Sequence, residues 1–342
     1  MKAAILIKQN KPLVIADIEI PKLVHGQVLV KIMSSGICGS QLGEIDGVKG
    51  PDKYLPHLLG HEGGGIVLEI GPGVKRVKKG DHVVLHWRKG LGIESAAPKY
   101  RWGTKTVNAG WVTTFNENAI VSENRLTPIP KDIDFDIAAL LGCAVTTGMG
   151  VVNNDAKLKM SESIVVFGVG GVGLSIIQGA AMKGATPIIA VDLFNEKLKF
   201  AKKFGATHVI KGSSQHVQKA ILKVLGPKGA DVAVDNTGNT KIIELAYELT
   251  SAKGRTILVG VPRQGEKIRI FTLPLHFGKI LTGSHGGGSN PSVDIPNYIK
   301  MYRSGKLKLD TMITHRFTFG QINEAVEKLR QGKTGRCIIR FR

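Results

Sequence analysis

The chain has 342 residues, 42% of them hydrophobic, which exceeds one average domain and predicts two packed cores. Its three scattered cysteines argue against a disulfide framework and for a reducing, cytoplasmic setting; no apolar run reaches membrane-spanning length, and polar residues break the N-terminal one, so neither a span nor a signal peptide is expected. The formal charge of +20 raises nucleic-acid binding, but no helix-turn-helix, RNA-stacking or zinc-finger pattern accompanies it, and the lysines read as spread through every segment with short clusters such as Lys75–Lys79. A generally basic surface that steers anionic cofactors or substrates is the expectation.

From Met1 to about Val121 short apolar runs, among them Ala3–Ile7, Val28–Ile32, Gly65–Ile70 and His82–Leu85, alternate with Gly and Pro turns. They predict a β-rich domain. Within it Cys38 lies in Gly36-Ile37-Cys38-Gly39-Ser40-Gln41 and His61 in Gly60-His61-Glu62-Gly63-Gly64-Gly65; Cys143 follows in Gly142-Cys143-Ala144. Two thiolates and one imidazole suit zinc(II) and leave a fourth position open, as catalytic zinc requires. Taken singly, each is as easily a buried structural residue.

Beyond residue 160 the pattern changes. Residues 161–283 alternate strand-like and helix-like segments, as βαβ units do. The run Ser163–Phe167 turns on Gly168, Gly170, Gly171, Val172 and Gly173 into a helix whose N-terminus suits a pyrophosphate, and a second run ends at Asp192, nineteen residues past Gly173. A carboxylate there accepts from a free ribose 2′-hydroxyl and repels a 2′-phosphate. NAD is therefore expected rather than NADP. Lys197, a turn further on, is placed to touch the ribose or Asp192, or else is a solvated surface lysine.

Gly60-His61-Glu62, Gly65, Gly71 and Val74 fall on the histidine signature of the zinc-dependent medium-chain dehydrogenase/reductase family, which the chain resembles from end to end. The resemblance implies an α/β plus β-rich architecture: a GroES-like catalytic domain over residues 1–145 and 287–342, and an inserted Rossmann domain, a doubly wound parallel sheet, over 146–286, with the active site in the cleft. It makes Cys38, His61 and Cys143 the ligands of one catalytic zinc per chain. Glu62 becomes the adjacent carboxylate, able to sit behind the ligands or transiently take the open position. Thr147 and Val259 would lie near the nicotinamide, and Arg336 would contact the pyrophosphate.

There are departures. Many members bind a structural zinc through four closely spaced cysteines, yet no cysteine occurs between Cys38 and Cys143. The segment from Trp87 to Val112 stands there instead, and its aromatic and basic residues form either a substrate lid or subunit contact, or a local core in place of the metal. Ser40 occupies the place of the Ser/Thr that bonds the substrate oxygen, but Gly43 replaces a relay histidine, leaving Glu44 as a candidate acceptor. Gln41 replaces an acid, which would leave the zinc histidine less basic.

The reading is a zinc- and NAD-dependent alcohol dehydrogenase, a homodimer or homotetramer acting on a small-molecule alcohol or carbonyl, with no membrane or nucleic-acid partner. His285, near the expected nicotinamide end, and the polar insertion favour a polar secondary alcohol of polyol, sugar or cyclitol type. The rivals are a zinc-independent reductase of the same superfamily and a catalytically inactive nucleotide-binding or nucleic-acid-associated protein on the same fold.

Overall fold

A computed structural model describes residues 1–213 and 216–341. The chain divides into two compact units: Met1–Ala144 with Asn290–Gln331 and the stretch from Arg336 on, and Val145–Ser289 with Gly332–Gly335.

In the first unit a seven-stranded sheet runs in the order Leu126–Ile129, His82–His86, Glu62–Ile70, Gln27–Ile37, Arg336–Arg340, Ile313–Thr318, with Asn118–Ser122 also paired to Gln27–Ile37. A five-stranded sheet holds Val14–Asp17, Lys2–Leu6, His57–Leu58, Lys105–Asn108 and Lys99–Trp102. Valines and isoleucines that recur along the strands, among them Val28, Val30, Ile32, Val67 and Val83, fill the core with Leu85 and Phe115. That is the burial expected of β-branched side chains on a pleated surface. The helix Phe135–Leu141, capped by Asp134 whose carboxylate accepts from Asp136 N at 2.7 Å, packs onto four strands of the larger sheet.

The Trp-rich segment resolves into structure of its own. Lys99–Trp102 and Lys105–Asn108 form an antiparallel hairpin at the end of the five-stranded sheet. Tyr100 is fully buried and its hydroxyl accepts from Ile120 N at 2.9 Å. Of the two readings, a local core in place of a metal lobe is the one this packing supports.

The second unit is a six-stranded, wholly parallel sheet in the order His208–Lys211, Ile188–Asp192, Ile164–Phe167, Ala230–Asp235, Thr250–Leu258, Ile280–Gly283. Helices Gly171–Met182, Asn195–Lys203, Val217–Leu225 and Thr240–Leu249 connect its first five strands in chain order. Strands covered on both faces need unbroken apolar runs, and Ile164-Val165-Val166-Phe167 is buried at every position. The strand order reverses between Ile164–Phe167 and Ala230–Asp235, the switch point at which such sheets bind nucleotides. No single helix among the described residues is long and apolar enough to cross a membrane.

Candidate active site

Three remote segments converge in the first unit. The strand Gln27–Ile37 delivers Cys38 to the N-cap of the helix Gly39–Ile45. His61 immediately precedes the strand Glu62–Ile70, and Cys143 follows the helix Phe135–Leu141 through Gly142. A Cβ on Gly142 would lie 2.9 Å from Glu62 Cα and 2.4 Å from Leu85 O, so only glycine lets the chain pass close enough to set Cys143 beside His61. One ligand atom from each of Cys38, His61 and Cys143 lies within 4.8 Å of the others, and His61 Nε2 stands 3.3 Å from Cys143 Sγ. Zn–S and Zn–N bonds of about 2.3 and 2.0 Å fit inside that triangle. Hydrogen bonding with Cys143 holds the Cys38 thiol well below its ordinary value against the opposing effect of burial, with His61 and Arg336 adding to the pull. A thiolate is the form that binds metal. Cys337 is fully buried in the core on the strand Arg336–Arg340.

Around this trio each neighbour has a definite partner. Gln41, almost fully buried, accepts from Cys38 N through Oε1 at 3.0 Å and sets its amide nitrogen against His61 Nδ1. Glu62 is fully buried and ion-paired to Arg336, and its other oxygen accepts weakly from Ala144 N at 3.4 Å. It is not among the converging ligand atoms. Arg336, expected at a pyrophosphate, is thus a buried counter-charge to Glu62; only its Nε lacks a partner. Ser40 Oγ is buried and has no hydrogen-bond partner. A buried hydroxyl left unmatched is costly unless a ligand completes it. Glu44 pairs with exposed Lys49 at 3.3 Å, which turns it toward solvent rather than toward Ser40.

One residue of the site escaped the sequence reading. The ladder between Glu62–Ile70 and His82–His86 ends at the pair Glu62–His86, with His61 directly before one strand and Trp87 directly after the other. Arg125 fixes Trp87 by donating to its carbonyl. His86 beneath it is fully buried, bonded through Nδ1 to Arg88 O at 2.7 Å and through Nε2 to Thr127 Oγ1 at 2.9 Å, and burial pushes its pKa down to about 4. The signal was the end of the His82–His86 run, legible only with the strand register in hand.

In the second unit the glycine loop has the geometry a dinucleotide needs. Gly168 adopts φ +83°, and a Cβ on Gly173 would fall 2.2 Å from Gly168 O, so the helix Gly171–Met182 can start this close to the strand only with glycine there. A Cβ on Gly170 would meet nothing within 4 Å, which leaves open space at the helix N-terminus. Val172, half-buried, lies in that first turn. Asp192 Oδ2 accepts from Val169 N at 2.7 Å and Oδ1 from Phe194 N at 3.0 Å, with Lys197 Nζ 4.0 Å away. The carboxylate therefore ties the loop to the second strand while keeping lone pairs for further donors. Thr147 Oγ1 is buried without a partner. Val259 N donates to Asp235 O at 2.8 Å. Asp235, also missed in the sequence, is fully buried and shapes the turn opposite the loop by accepting from Thr237 and Gly238; burial raises its pKa. His285 is exposed.

A GroES-like unit carrying a Cys-His-Cys trio, and a parallel nucleotide-type sheet, together define a zinc-type dehydrogenase. Residues 24–131 match the alcohol dehydrogenase GroES-like domain and residues 171–304 the zinc-binding dehydrogenase domain. The chain is 32% identical to alcohol dehydrogenase class-3 of Cereibacter sphaeroides and 31% identical to S-(hydroxymethyl)glutathione dehydrogenase of Paracoccus denitrificans, each over 99% of both chains. Among solved structures it superposes on benzyl alcohol dehydrogenase from Acinetobacter calcoaceticus with a TM-score of 0.90 at 29% identity, covering 100% of this chain and 99% of that one. The alcohol dehydrogenase of the archaeon Aeropyrum pernix gives 0.83 at 28%, covering 99% and 100%. The chain belongs to the zinc-containing medium-chain alcohol dehydrogenase family, for which NAD is the characteristic cofactor.

Proposed function

We propose that this enzyme interconverts a primary alcohol and its aldehyde, with zinc held by Cys38, His61 and Cys143 in the catalytic domain (residues 1–145 and 287–342) and NAD by the Rossmann domain (146–286). The observation that carries the reading is the meeting of two thiols and an imidazole beside a buried, unmatched Ser40 hydroxyl. Zinc held by that donor set would supply Lewis acidity toward a substrate oxygen, and bound NAD would supply the hydride acceptor.

The chain's own residues do the rest. Ser40 Oγ accepts the substrate hydroxyl proton and passes it outward; Gly43 cannot relay it and Glu44 is turned to solvent, so the proton leaves to water. Arg336 keeps Glu62 ionised yet neutralised behind the ligands. The open N-terminus at Gly170, Gly171 and Val172 would hold the pyrophosphate. Asp192, with Lys197, takes the adenosine ribose, and Thr147 and Val259 border the nicotinamide.

The polyol, sugar or cyclitol preference loses its supports, since His285 is exposed and the insertion is built into a sheet. S-(hydroxymethyl)glutathione and benzyl alcohol, for which the relatives are named, both carry a CH₂OH group. Trp87, which follows His86 at the ladder end where His61 precedes Glu62, would supply an apolar wall for the substrate's body. A homo-oligomer is favoured by the sheet edge Ile280–Gly283, where Phe271, Leu273, Phe277 and Ile280 are all exposed. Sedimentation of Phe277→Asp protein tests this; an unchanged oligomer would place the contact elsewhere.

The purified protein should hold about one zinc per chain and form NADH from benzyl-type primary alcohols faster than NADPH. Ser40→Ala should lower kcat by about 10²- to 10⁴-fold, the usual contribution of positioned proton transfer, with NAD affinity unchanged. Near-normal turnover in that variant, or a zinc-free active protein, would sink the reading.

A further inference from the structure

The charge that reads as evenly spread along the sequence is not. Residues 195–229 contain eight lysines, one glutamate, and no aspartate or arginine. The fold brings the two helices to one sheet edge: the helix Asn195–Lys203 packs on the strands Ile188–Asp192 and His208–Lys211, the latter being the edge, and the helix Val217–Leu225 packs on that same edge strand. The two connections run in opposite directions across the sheet, so right-handed crossovers set the helices on its opposite faces and their lysines border the edge from both sides. Lys199, Lys202 and Lys203 sit three and four residues apart, as do Lys219 and Lys223 at four, so each helix presents its lysines on one face. Those five, with Lys211 and Lys228, are exposed, and among the described residues none of the seven has an ion-pair partner. Only Lys197 does, with Asp192. Beyond the second helix the patch ends, where Thr240–Leu249 brings Glu244 and Glu248.

We infer that this lysine-faced edge is a binding surface for the phosphate backbone of duplex nucleic acid, read without regard to sequence. Six unpaired like charges, Lys199, Lys202, Lys203, Lys211, Lys219 and Lys223, border this one edge and repel one another, and a polyanion relieves that repulsion while releasing its own counterions. The side-chain set selects among polyanions. No large apolar side chain is exposed from Asn195 to Gly229, so the edge has nothing to bury in an anionic bilayer, and no exposed Phe, Tyr, Trp or Arg to stack on unpaired bases or fork to a guanine. Lysine contacts phosphate as a point charge.

The test uses the intact enzyme, a labelled 20-base-pair duplex in two unrelated sequences, and vesicles containing 30% phosphatidylserine. Both duplexes should bind equally in low salt and lose about a thousandfold in affinity between 50 and 200 mM salt, as five or more phosphate contacts dictate. Changing Lys199, Lys202, Lys203, Lys219 and Lys223 together to Gln should weaken duplex binding at least a hundredfold and flatten the salt slope by four to five, leaving dehydrogenase turnover unaltered. The same change at Lys2, Lys8, Lys11, Lys22 and Lys31, all exposed in the first unit, should leave duplex binding within a few fold. Equal losses in the two variants would reduce the effect to net charge and overturn the assignment. Binding to vesicles in preference to duplex, or no duplex binding at 50 mM salt, would overturn it too.

Discussion

The metal trio and the glycine loop are built in opposite ways. Cys38, His61 and Cys143 are joined only by tertiary packing: two strand ends and a helix end, with Gly142 pressed against Glu62. The loop and its carboxylate lie within one strand–helix–strand unit, Ile164 to Asp192, cross-linked by a bond from Val169 N to Asp192. A locally encoded site survives changes elsewhere in the chain; a site assembled from remote segments fails with any one of its supports.

Single changes should separate the two. Cys143→Ala should abolish zinc retention and cost turnover about a thousandfold or more, the scale of a Lewis-acid contribution of several kcal/mol, while NADH binding followed by fluorescence stays intact. Gly173→Val should do the reverse: its side chain has no room 2.2 Å from Gly168 O, and overpacking of 1–3 kcal/mol corresponds to NADH binding weaker by about ten- to a hundredfold, with zinc content unchanged by elemental analysis. Loss of both ligands in either variant would show that the sites are not independent.

The same contrast explains what was legible in the sequence. The glycine loop and Asp192 were readable because a contiguous chain carries them. The trio was readable only through resemblance to a family, since 23 and 82 residues separate its members along the chain, and spacing alone does not bring them together. Trp87 needed the strand register, and the role of Gln41 needed a contact across twenty residues. The pairing of Arg336 with Glu62 had no signal in the sequence, because a basic residue near the C-terminus gives no hint that a buried carboxylate lies opposite. The lysine edge was missed for the reverse reason: cluster-counting in short windows dilutes charges that two helices and a strand bring to one sheet edge.

His86 sharpens the comparison from the side of stability, because it lies under the assembled site and has no counterpart beneath the loop. It is neutral when folded, donating to Arg88 O and accepting from Thr127, with a pKa of about 4, whereas an unfolded histidine titrates near 6.5. The unfolded state therefore binds more protons between those values, and stability present above pH 6.5 is lost as pH falls toward 4. Between pH 7 and 5 this one group should cost about 2 kcal/mol. Urea unfolding of the first unit in His86→Gln protein should show a pH dependence smaller by that amount; an unchanged dependence would mean that other groups dominate.

The smallest expected effect concerns Gln41, where the assembled site departs most from an ideal ligand shell. For Nε2 of His61 to bind metal, its proton must sit on Nδ1, and that N–H needs an acceptor. Gln41 presents an amide nitrogen there, because its oxygen already accepts from Cys38 N, and an amide nitrogen cannot accept. Rotating the amide would satisfy His61 and set a donor against Cys38 N instead. One side chain cannot serve both partners well. Gln41→Glu can, since one carboxylate oxygen keeps the Cys38 bond and the other accepts from Nδ1 while raising the basicity of the ring. Burying a charge at a position only 1% exposed opposes the gain, so zinc retention against a chelator should improve by only about tenfold, the low end of what such outer partners contribute. Weaker retention in the variant would show that desolvation of the carboxylate outweighs the corrected hydrogen bond, and that the neutral amide is the better support for a ligand delivered from a separate strand.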